Sequence, residues 1–259
     1  MAKKSEAEQT KMQMEQPLIS HLIELRNRLL RVMAYILIVF VGLYSFSNDL
    51  YLLLSKPLEV LLPENSSMIA TGVASPFLVP FKLTLFSAVF LTIPFILHQV
   101  WSFIAPGLYK TEKRLAIPLL ISSIILFYVG IAFAYLVVLP LVFAFFTSVG
   151  PEGVNFLPDI NNILNFILKM FFAFGLAFEI PVATLLLILS GATTAESLSE
   201  KRPYIFVACF VVGMLVTPPD VISQTILALP MYILFEAGIF FGRMIKKKED
   251  EPEANSKDA

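Results

Sequence analysis

Three acidic residues of the chain occupy positions that call for a functional or structural explanation. Glu24 and Glu112 lie in short stretches rich in Lys and Arg, and Glu179 lies within a long apolar run, two residues before Pro181. A carboxylate binds a guanidinium group through paired, charge-assisted hydrogen bonds. Glu24 and Glu112 on one membrane face could therefore receive two adjacent arginines of a partner.

Plainer interpretations of these acids stay open. Residues 18–31 predict an amphipathic helix at the membrane interface, on which Glu24 and Arg28 are four apart and could pair in a solvated stripe. Glu112 could be balanced by the two basic residues that follow it. Arg26 projects from the apolar side of the same helix, so it must extend toward water or find a partner.

Glu179 is the candidate inside the membrane. An ionised carboxylate at mid-bilayer costs at least ~2.5 kcal/mol, so Glu179 should face protein or water, or be protonated. An acid in this position is a functional candidate, and a structural hydrogen bond is the plainer alternative.

Soluble enzymatic chemistry finds no support in the sequence. The two histidines, His21 and His98, do not have metal-ligand spacing, the one cysteine, Cys209, lies in an apolar run, and there is no glycine-rich phosphate loop. We therefore predict no enzyme activity, no metal, no cofactor and no nucleic-acid partner.

Long apolar helices must position these residues. Of the 259 residues 57% are hydrophobic and 15% are charged, whereas about a quarter of a soluble domain is charged. A spanning helix needs ~20 mostly apolar residues, and six runs qualify or nearly qualify: 29–46, 77–104, 115–146, 163–189, 204–217 and 221–241. The fifth run is short, and Pro218-Pro219-Asp220 predicts a tight turn before the sixth. The sequence predicts an all-α polytopic membrane protein.

The basic residues predict its orientation. Sixteen Lys and Arg residues fall in the head, the tail and the loops after the second and fourth runs, whereas the opposite loops contain only Lys56. By the positive-inside rule, both termini are cytoplasmic. Composition predicts a disordered head at 1–16, a membrane domain at 17–242 and a disordered tail at 243–259. Pro94, Pro181 and Pro230 should kink their helices and favour a concave wall.

Several motifs, in order along the chain, resemble those of the TatC family, the multispanning subunit of the twin-arginine protein translocase. The resemblance covers about residues 16–242 and rests on segments 21–29, 75–77, 101–108, 109–114, 127–130, 174–181, 201–204 and 216–220. It implies a glove-like fold of six spans, with short spans five and six. It also implies a receptor for folded precursor proteins that carry twin-arginine signal peptides.

The resemblance implies roles for residues on the cytoplasmic side. Glu24 and Glu112 match acidic positions that receive the arginine pair of the signal peptide. Arg26 and Phe103 match positions in the same recognition region.

Further roles are implied in the membrane and on its outer side. Glu179 matches a polar site of span four that faces the concave side of the fold. Pro57 and Asp220 match functionally important positions of the outer loops. Met214 and Thr217 are candidates for docking the single-span partners TatA and TatB.

The resemblance also implies a cellular location, partner proteins and an energy source. Family members act in the cell inner membrane, in several copies with TatA and TatB, and they use the proton-motive force rather than ATP. Lys169, within the fourth run, matches no feature of the family.

Two other classes of function compete with this interpretation. A proton-coupled transporter of small molecules would use Glu179 as its relay and leave Glu24 and Glu112 dispensable. A passive membrane scaffold would depend on no single acid.

Overall fold

The structure, a computed structural model, describes residues 2–52, 69–104, 116–148, 159–217 and 220–254. Its elements are α1 (Ala2–Tyr44), α2 (Ser75–Ile104), α3 (Ala116–Phe133), a π-helical segment (Ala134–Val138), α4 (Leu139–Ser148), α5 (Ile160–Ala177), α6 (Ile180–Leu189), α7 (Ala195–Glu200), α8 (Arg202–Val216) and α9 (Val221–Ala254). The β-type pairing within the described ranges is one parallel bridge between Ile69 and Asp159. The predicted all-α fold is confirmed in this part of the chain.

Five helical stretches are long and apolar enough to cross a membrane: Leu22–Tyr44, Ser75–Ile104, Ala116–Phe146, Ile160–Leu189 and Val221–Ile245. They match five of the six predicted runs. α8 matches the other run, and its 15 residues extend over only ~22 Å, less than the ~30 Å of a bilayer core. The sixth crossing therefore stays a prediction.

The last apolar stretch begins where the sixth predicted run begins. Val221–Ile245 has 25 residues and is the second shortest of the five stretches, so a short sixth span stays a prediction. The helix continues past Phe241, and in this added turn Arg243 donates a hydrogen bond to Ser199 Oγ at 2.7 Å. That contact anchors the end of the stretch to α7.

Helical backbone also extends into both ends of the chain. α1 begins at Ala2 and α9 ends at Ala254, so these helices include most residues that composition assigns to a disordered head and tail. The division at residues 16 and 242 stays a prediction.

The fourth span is broken where the sequence places a kink. α5 ends at Ala177 and α6 begins at Ile180, with Pro181 in the first turn of α6. Proline has no backbone N–H and its ring clashes with the carbonyl four residues earlier, here that of Ala177. The break places Glu179 between two helices, and its backbone oxygen accepts from Ala183 N at 2.8 Å.

The other prolines are accommodated within helices. Pro94 lies inside α2 and Pro230 lies inside α9, and both helices continue through the proline. Pro140 lies two residues after Val138, the end of the π-helical segment. A π-helical turn is a local widening of the helix, and such adjustments help to satisfy the backbone groups that a proline frees in a membrane helix.

Small residues let the central helices approach closely. α1 packs on α2, α3 on α5, and α9 on both α6 and α8. A Cβ atom on Gly130 of α3 would lie 2.5 Å from the carbonyl oxygen of Phe174 on α5. Around this crossing, Phe127 and Phe174 are almost completely buried. Close approach through glycine is typical of helix packing in membranes, where van der Waals contact replaces the hydrophobic effect.

The amino ends of α2 and α5 are tied together by polar contacts. Asp159 caps α5 by accepting from the backbone of Asn161 and Asn162, at 2.9 and 3.1 Å. Its other oxygen accepts from Thr71 N at 2.9 Å and Thr71 Oγ1 at 2.5 Å. Lys82 Nζ of α2 also donates to Asn161 Oδ1 at 2.9 Å, which adds a contact between the two helices.

Candidate functional site

Glu24 and the carboxyl end of α2 are joined by one arginine. Arg28 donates from Nε and Nη2 to Glu24 Oε1, at 3.1 and 2.5 Å. The same guanidinium donates to the carbonyl oxygens of Gln99 at 3.3 Å and Ser102 at 3.1 Å. Ser102 is among the last four residues of α2, whose carbonyls lack partners within the helix, and a cation there is favourable. Arg28 therefore fixes the Glu24 carboxylate beside the end of α2.

Exposure separates the roles of these two side chains. The Arg28 side chain is 17% exposed and that of Glu24 is 43% exposed. Arg28 is thus a largely buried connector, whereas the Glu24 side chain is partly exposed at the surface. A half-exposed acidic side chain whose position is fixed by its neighbour is suited to bind a guanidinium from outside the chain.

The other residues expected near Glu24 are placed differently. Arg26 lies two positions along α1, about 200° around the helix axis, and its guanidinium donates to Asn27 Oδ1 at 3.2 and 3.4 Å. It is exposed and does not share the face of Glu24. Phe103 is half-buried in the last turn of α2, directly after Ser102, whose carbonyl accepts from Arg28.

Two buried polar features lie inside the helix bundle. Trp101 Nε1 of α2 donates to Ser123 Oγ of α3 at 3.3 Å. Ser123 is 1% exposed and Trp101 is 6% exposed. Glu179 Oε1 is buried and has no hydrogen-bond partner in the described part of the chain. A buried hydrogen bond therefore joins the second and third spans, and the buried Oε1 of Glu179 lies at the break of the fourth span.

The two docking candidates on α8 face different surroundings. Met214 is 49% exposed and Thr217 is 5% exposed. Thr217 closes the end of α8, because its N and Oγ1 both bond the Gly213 carbonyl oxygen, at 2.9 and 3.0 Å. Met214 alone lies on an exposed surface.

Asp220 starts the helix that follows. Its Oδ1 accepts from Ser223 N at 2.6 Å, which is the bond of a helix N-cap. Its Oδ2 is buried without a hydrogen-bond partner among the residues described. The structure thus gives this loop carboxylate a role in starting α9.

An ion pair between α8 and α9 is a feature that the sequence analysis missed. Arg202 Nε and Nη2 donate to the two carboxylate oxygens of Glu236, each at 2.7 Å. Tyr232 also donates to Glu236 Oε1 at 2.9 Å. This two-point geometry holds the first turn of the short helix α8 against α9.

Some predicted site residues lie outside the described ranges. Glu112 and Pro57 are both in this group, so their roles stay predictions. Lys169 is exposed on α5. Trp101, Ser123 and Arg202 were not predicted as site residues, since a single serine in an apolar run carries no periodic signal and the other two were noted only inside motifs.

The sequence and the fold both match known proteins. Residues 20–230 match the family described as Sec-independent protein translocase protein (TatC). The chain is 59% identical over 241 residues to the Sec-independent protein translocase protein TatC of Azotobacter chroococcum mcd 1, covering 93% of this chain and 94% of that protein. It is 57% identical over 228 residues to the protein of that name from Escherichia coli (strain K12), covering 88% of each. A crystal structure described as the twin arginine translocase receptor TatC aligns with a TM-score of 0.77 and 36% identity, covering 86% of this chain and 98% of that chain.

The apolar helices and these relatives define a multi-pass membrane protein that works in protein transport and is not an enzyme. The chain belongs to the TatC family and is a component of the Sec-independent protein translocase. The resemblance stated from the sequence motifs is confirmed.

Proposed function

We propose that this chain is the receptor component of twin-arginine translocation, and that it binds the arginine pair of precursor signal peptides at Glu24. The observation that supports this most directly is the half-exposed Glu24 carboxylate, held by Arg28 beside the end of α2. A carboxylate fixed in this way loses little conformational freedom when a guanidinium binds.

The distribution of basic residues along the chain supports a cytoplasmic location for Glu24. Lys and Arg residues are concentrated in the terminal segments and in the loops after the second and fourth apolar runs. In this proposal α8 is the sixth crossing, and both termini and Glu24 are cytoplasmic, as the positive-inside rule favours. Folded precursors would meet Glu24 on that side of the inner membrane.

The neighbours of Glu24 suit a peptide that is both basic and apolar. Phe103 lies half-buried in the last turn of α2 and offers an apolar contact beside the carboxylate. Glu112 supplies the second carboxylate in this proposal, and Arg26 lies on another face of α1. An arginine pair needs two acceptors for full pairing, so Glu24 and Glu112 divide the task.

α8 is the proposed docking helix for TatA- and TatB-type proteins. Its outer face is apolar and well exposed, with Val207 at 61%, Met214 at 49% and Leu215 at 71%. A single-span helix could pack on this face by van der Waals contact. In this proposal Met214 contacts the partner, and Thr217 shapes the helix end without touching it.

Binding of a signal peptide to the purified chain tests the receptor proposal. We expect Glu24→Gln to weaken the binding of a fluorescent twin-arginine peptide to the chain in lipid nanodiscs. One charge-assisted pair at a half-exposed site contributes about 1–2 kcal/mol, so the dissociation constant should rise ~5- to 30-fold.

The matched control for this variant is Glu200→Gln. Glu200 is an exposed acid at the end of α7, and its loss changes the net charge by the same amount. An equal loss of binding in both variants would indicate a general charge effect, and it would rule out a specific site at Glu24.

A further inference from the structure

We propose that the chain binds one anionic phospholipid, with the lipid phosphate at Lys169 and an acyl chain in an apolar cavity between α5, α6 and α8. The proposal is independent of signal-peptide binding at Glu24. Two observations on α5 carry it. One is an exposed lysine within an apolar span, and the other is a cavity that begins one helical turn further along the same helix.

Lys169 is a cation far inside a span. It lies nine residues after Ile160 in the apolar stretch Ile160–Leu189, ~14 Å along the helix axis and thus near the middle of a ~30 Å bilayer core. An ammonium group at that depth is strongly unfavourable unless it reaches water or an anion. Its side chain is exposed, and within the described ranges no acidic side chain forms an ion pair with it. Lys169 therefore calls for an anionic partner from outside the chain.

The short helix α8 shows how a lipid headgroup can reach this depth. Ala177 of α5 and Cys209 of α8 belong to one buried cluster, so they lie at a similar level. Lys169 and Thr217 are each eight residues, or ~12 Å, from that level. Both lie on the same side of it, because Val216 packs against a second cluster formed partly by the amino-terminal half of α5. The polar end of α8 and Lys169 are thus at about equal depth, and the polar surface of the membrane is drawn inward here.

A second lysine adds positive charge to this surface. Lys82 Nζ of α2 lies 2.9 Å from Asn161 Oδ1 and 3.5 Å from Asn165 Oδ1. Asn161, Asn165 and Lys169 follow at intervals of four residues along one side of α5, and helical side chains incline toward the amino end of their helix. Asp159, the acid at the start of α5, is already bonded to Thr71 and to the helix backbone. Two ammonium groups beside amide groups favour a phosphate.

The cavity provides room for an acyl chain. Its volume is about 480 Å³, and thirteen of its fourteen lining residues are hydrophobic, the exception being Thr184. It begins at Ala173, one turn after Lys169, and continues to Leu187, ~21 Å further along the chain direction. Leu187 and Val212 in its wall are exposed, so the cavity opens at the surface of the bundle. An acyl chain can therefore enter it from the surrounding bilayer.

The size of the cavity favours a hydrocarbon chain over the helix of a partner. A helix is about 10 Å across, so ~21 Å of helix takes up ~1,600 Å³, more than three times the volume of the cavity. An acyl chain is much narrower, and within one leaflet it extends over ~15 Å, half of the hydrocarbon core. Protein interiors contain few voids larger than a water molecule. The cavity thus matches one lipid chain whose headgroup is held at Lys169.

Native mass spectrometry of the full chain tests the headgroup site. The chain is purified in a mild detergent and given equal amounts of phosphatidylglycerol, which is anionic, and phosphatidylcholine, which is zwitterionic. We expect the wild type to retain one phosphatidylglycerol in preference, and Lys169→Gln to retain ~3- to 10-fold less. Lys169→Arg keeps the charge and should behave as the wild type. Lys201→Gln is the matched control, because it removes an exposed lysine at the other end of the cavity and should leave retention unchanged.

A second set of measurements tests whether the acyl chain enters the cavity. Cys209 lines the cavity and is the one cysteine of the 259 residues. Phosphatidylglycerol should slow its alkylation by a membrane-permeant maleimide, whereas inorganic phosphate should not. Ala208→Phe fills the cavity and should weaken retention of the lipid. Val211→Phe adds the same ring at an exposed position of α8 outside the cavity and should not weaken it.

Distinct outcomes would overturn the proposal. Equal retention of the two lipids by the wild type, or equal losses in Lys169→Gln and Lys201→Gln, would show that Lys169 does not hold the phosphate. Unchanged retention in Ala208→Phe, or alkylation of Cys209 that the lipid does not slow, would place the acyl chain outside the cavity. Protection of Cys209 by a co-purified single-span protein and not by phosphatidylglycerol would assign the cavity to a protein partner.

Discussion

Replacing Gly130 with alanine should destabilise the crossing of α3 and α5. The added Cβ would lie 2.5 Å from the Phe174 carbonyl oxygen, 3.0 Å from its carbonyl carbon and 3.0 Å from Phe178 Cβ. Real Cβ atoms do not approach other heavy atoms at 2.5 Å, and a backbone carbonyl within a helix cannot rotate away. The two helices must therefore separate.

The size of the effect follows from the atoms that must move. Inserting one methyl group into a well-packed core costs typically ~1–3 kcal/mol, and a clash with backbone belongs at the upper end, about 2–3 kcal/mol. Gly42→Ala is the matched control, because a Cβ there has no atom within 4 Å among the described residues. That change should be neutral or stabilise α1 by up to ~1 kcal/mol.

Unfolding in mixed micelles measures both variants. Increasing fractions of sodium dodecyl sulfate unfold the chain, and Trp101 emission follows the packing of α2 on α3. We expect Gly130→Ala to unfold at a clearly lower detergent fraction than the wild type, and Gly42→Ala at the same or a higher fraction. Equal midpoints for Gly130→Ala and the wild type would refute the close approach of α3 and α5.

Two further predictions concern polar ties between helices. Hydrogen bonds from Thr71, together with backbone donors at the start of α5, lower the pKa of Asp159 from its ordinary 3.8 to about 2. Because the pKa of Asp159 is lower in the folded chain, its ionised carboxylate stabilises the fold at pH values above the ordinary pKa of 3.8. This stabilisation is lost as the pH falls from 3.8 toward 2. Asp159→Asn should therefore remove this pH dependence from unfolding curves measured over that range. The Arg202 and Glu236 pair holds α8 against α9, so Arg202→Gln should speed alkylation of the single, buried Cys209 on α8 by a membrane-permeant maleimide. Lys201→Gln is its control, and equal rates in the two variants would show that the ion pair does not hold α8.

The positions of the helices were predictable because they depend on local composition. Apolar runs of about twenty residues identify spanning helices with little tertiary information, and Pro181 marks the break in the fourth span from sequence alone. The contact that ties the end of the last stretch to α7, from Arg243 to Ser199, depends on tertiary packing, which no local pattern reveals.

The candidate site was predictable only where it depends on local helical spacing. Pairing of Glu24 with Arg28 follows from helical spacing of four residues. The reach of Arg28 to the carbonyls of α2 depends on how two helices pack. Burial of Thr217 also depends on packing, so sequence motifs could not separate it from the exposed Met214.

The measurement that tests the central claim most directly is a double-mutant cycle between Glu24 and the arginine pair of the signal peptide. Binding is measured for the wild type and Glu24→Gln, each with the natural peptide and with a peptide carrying two glutamines in place of the arginines. If the Glu24 carboxylate contacts the arginine pair, the losses of binding free energy from the two changes are not additive. Glu24→Gln should then weaken binding of the glutamine peptide little further. The coupling energy should be about 1–2 kcal/mol. Additive losses, with no coupling energy, would contradict the assignment of Glu24 as the receptor carboxylate.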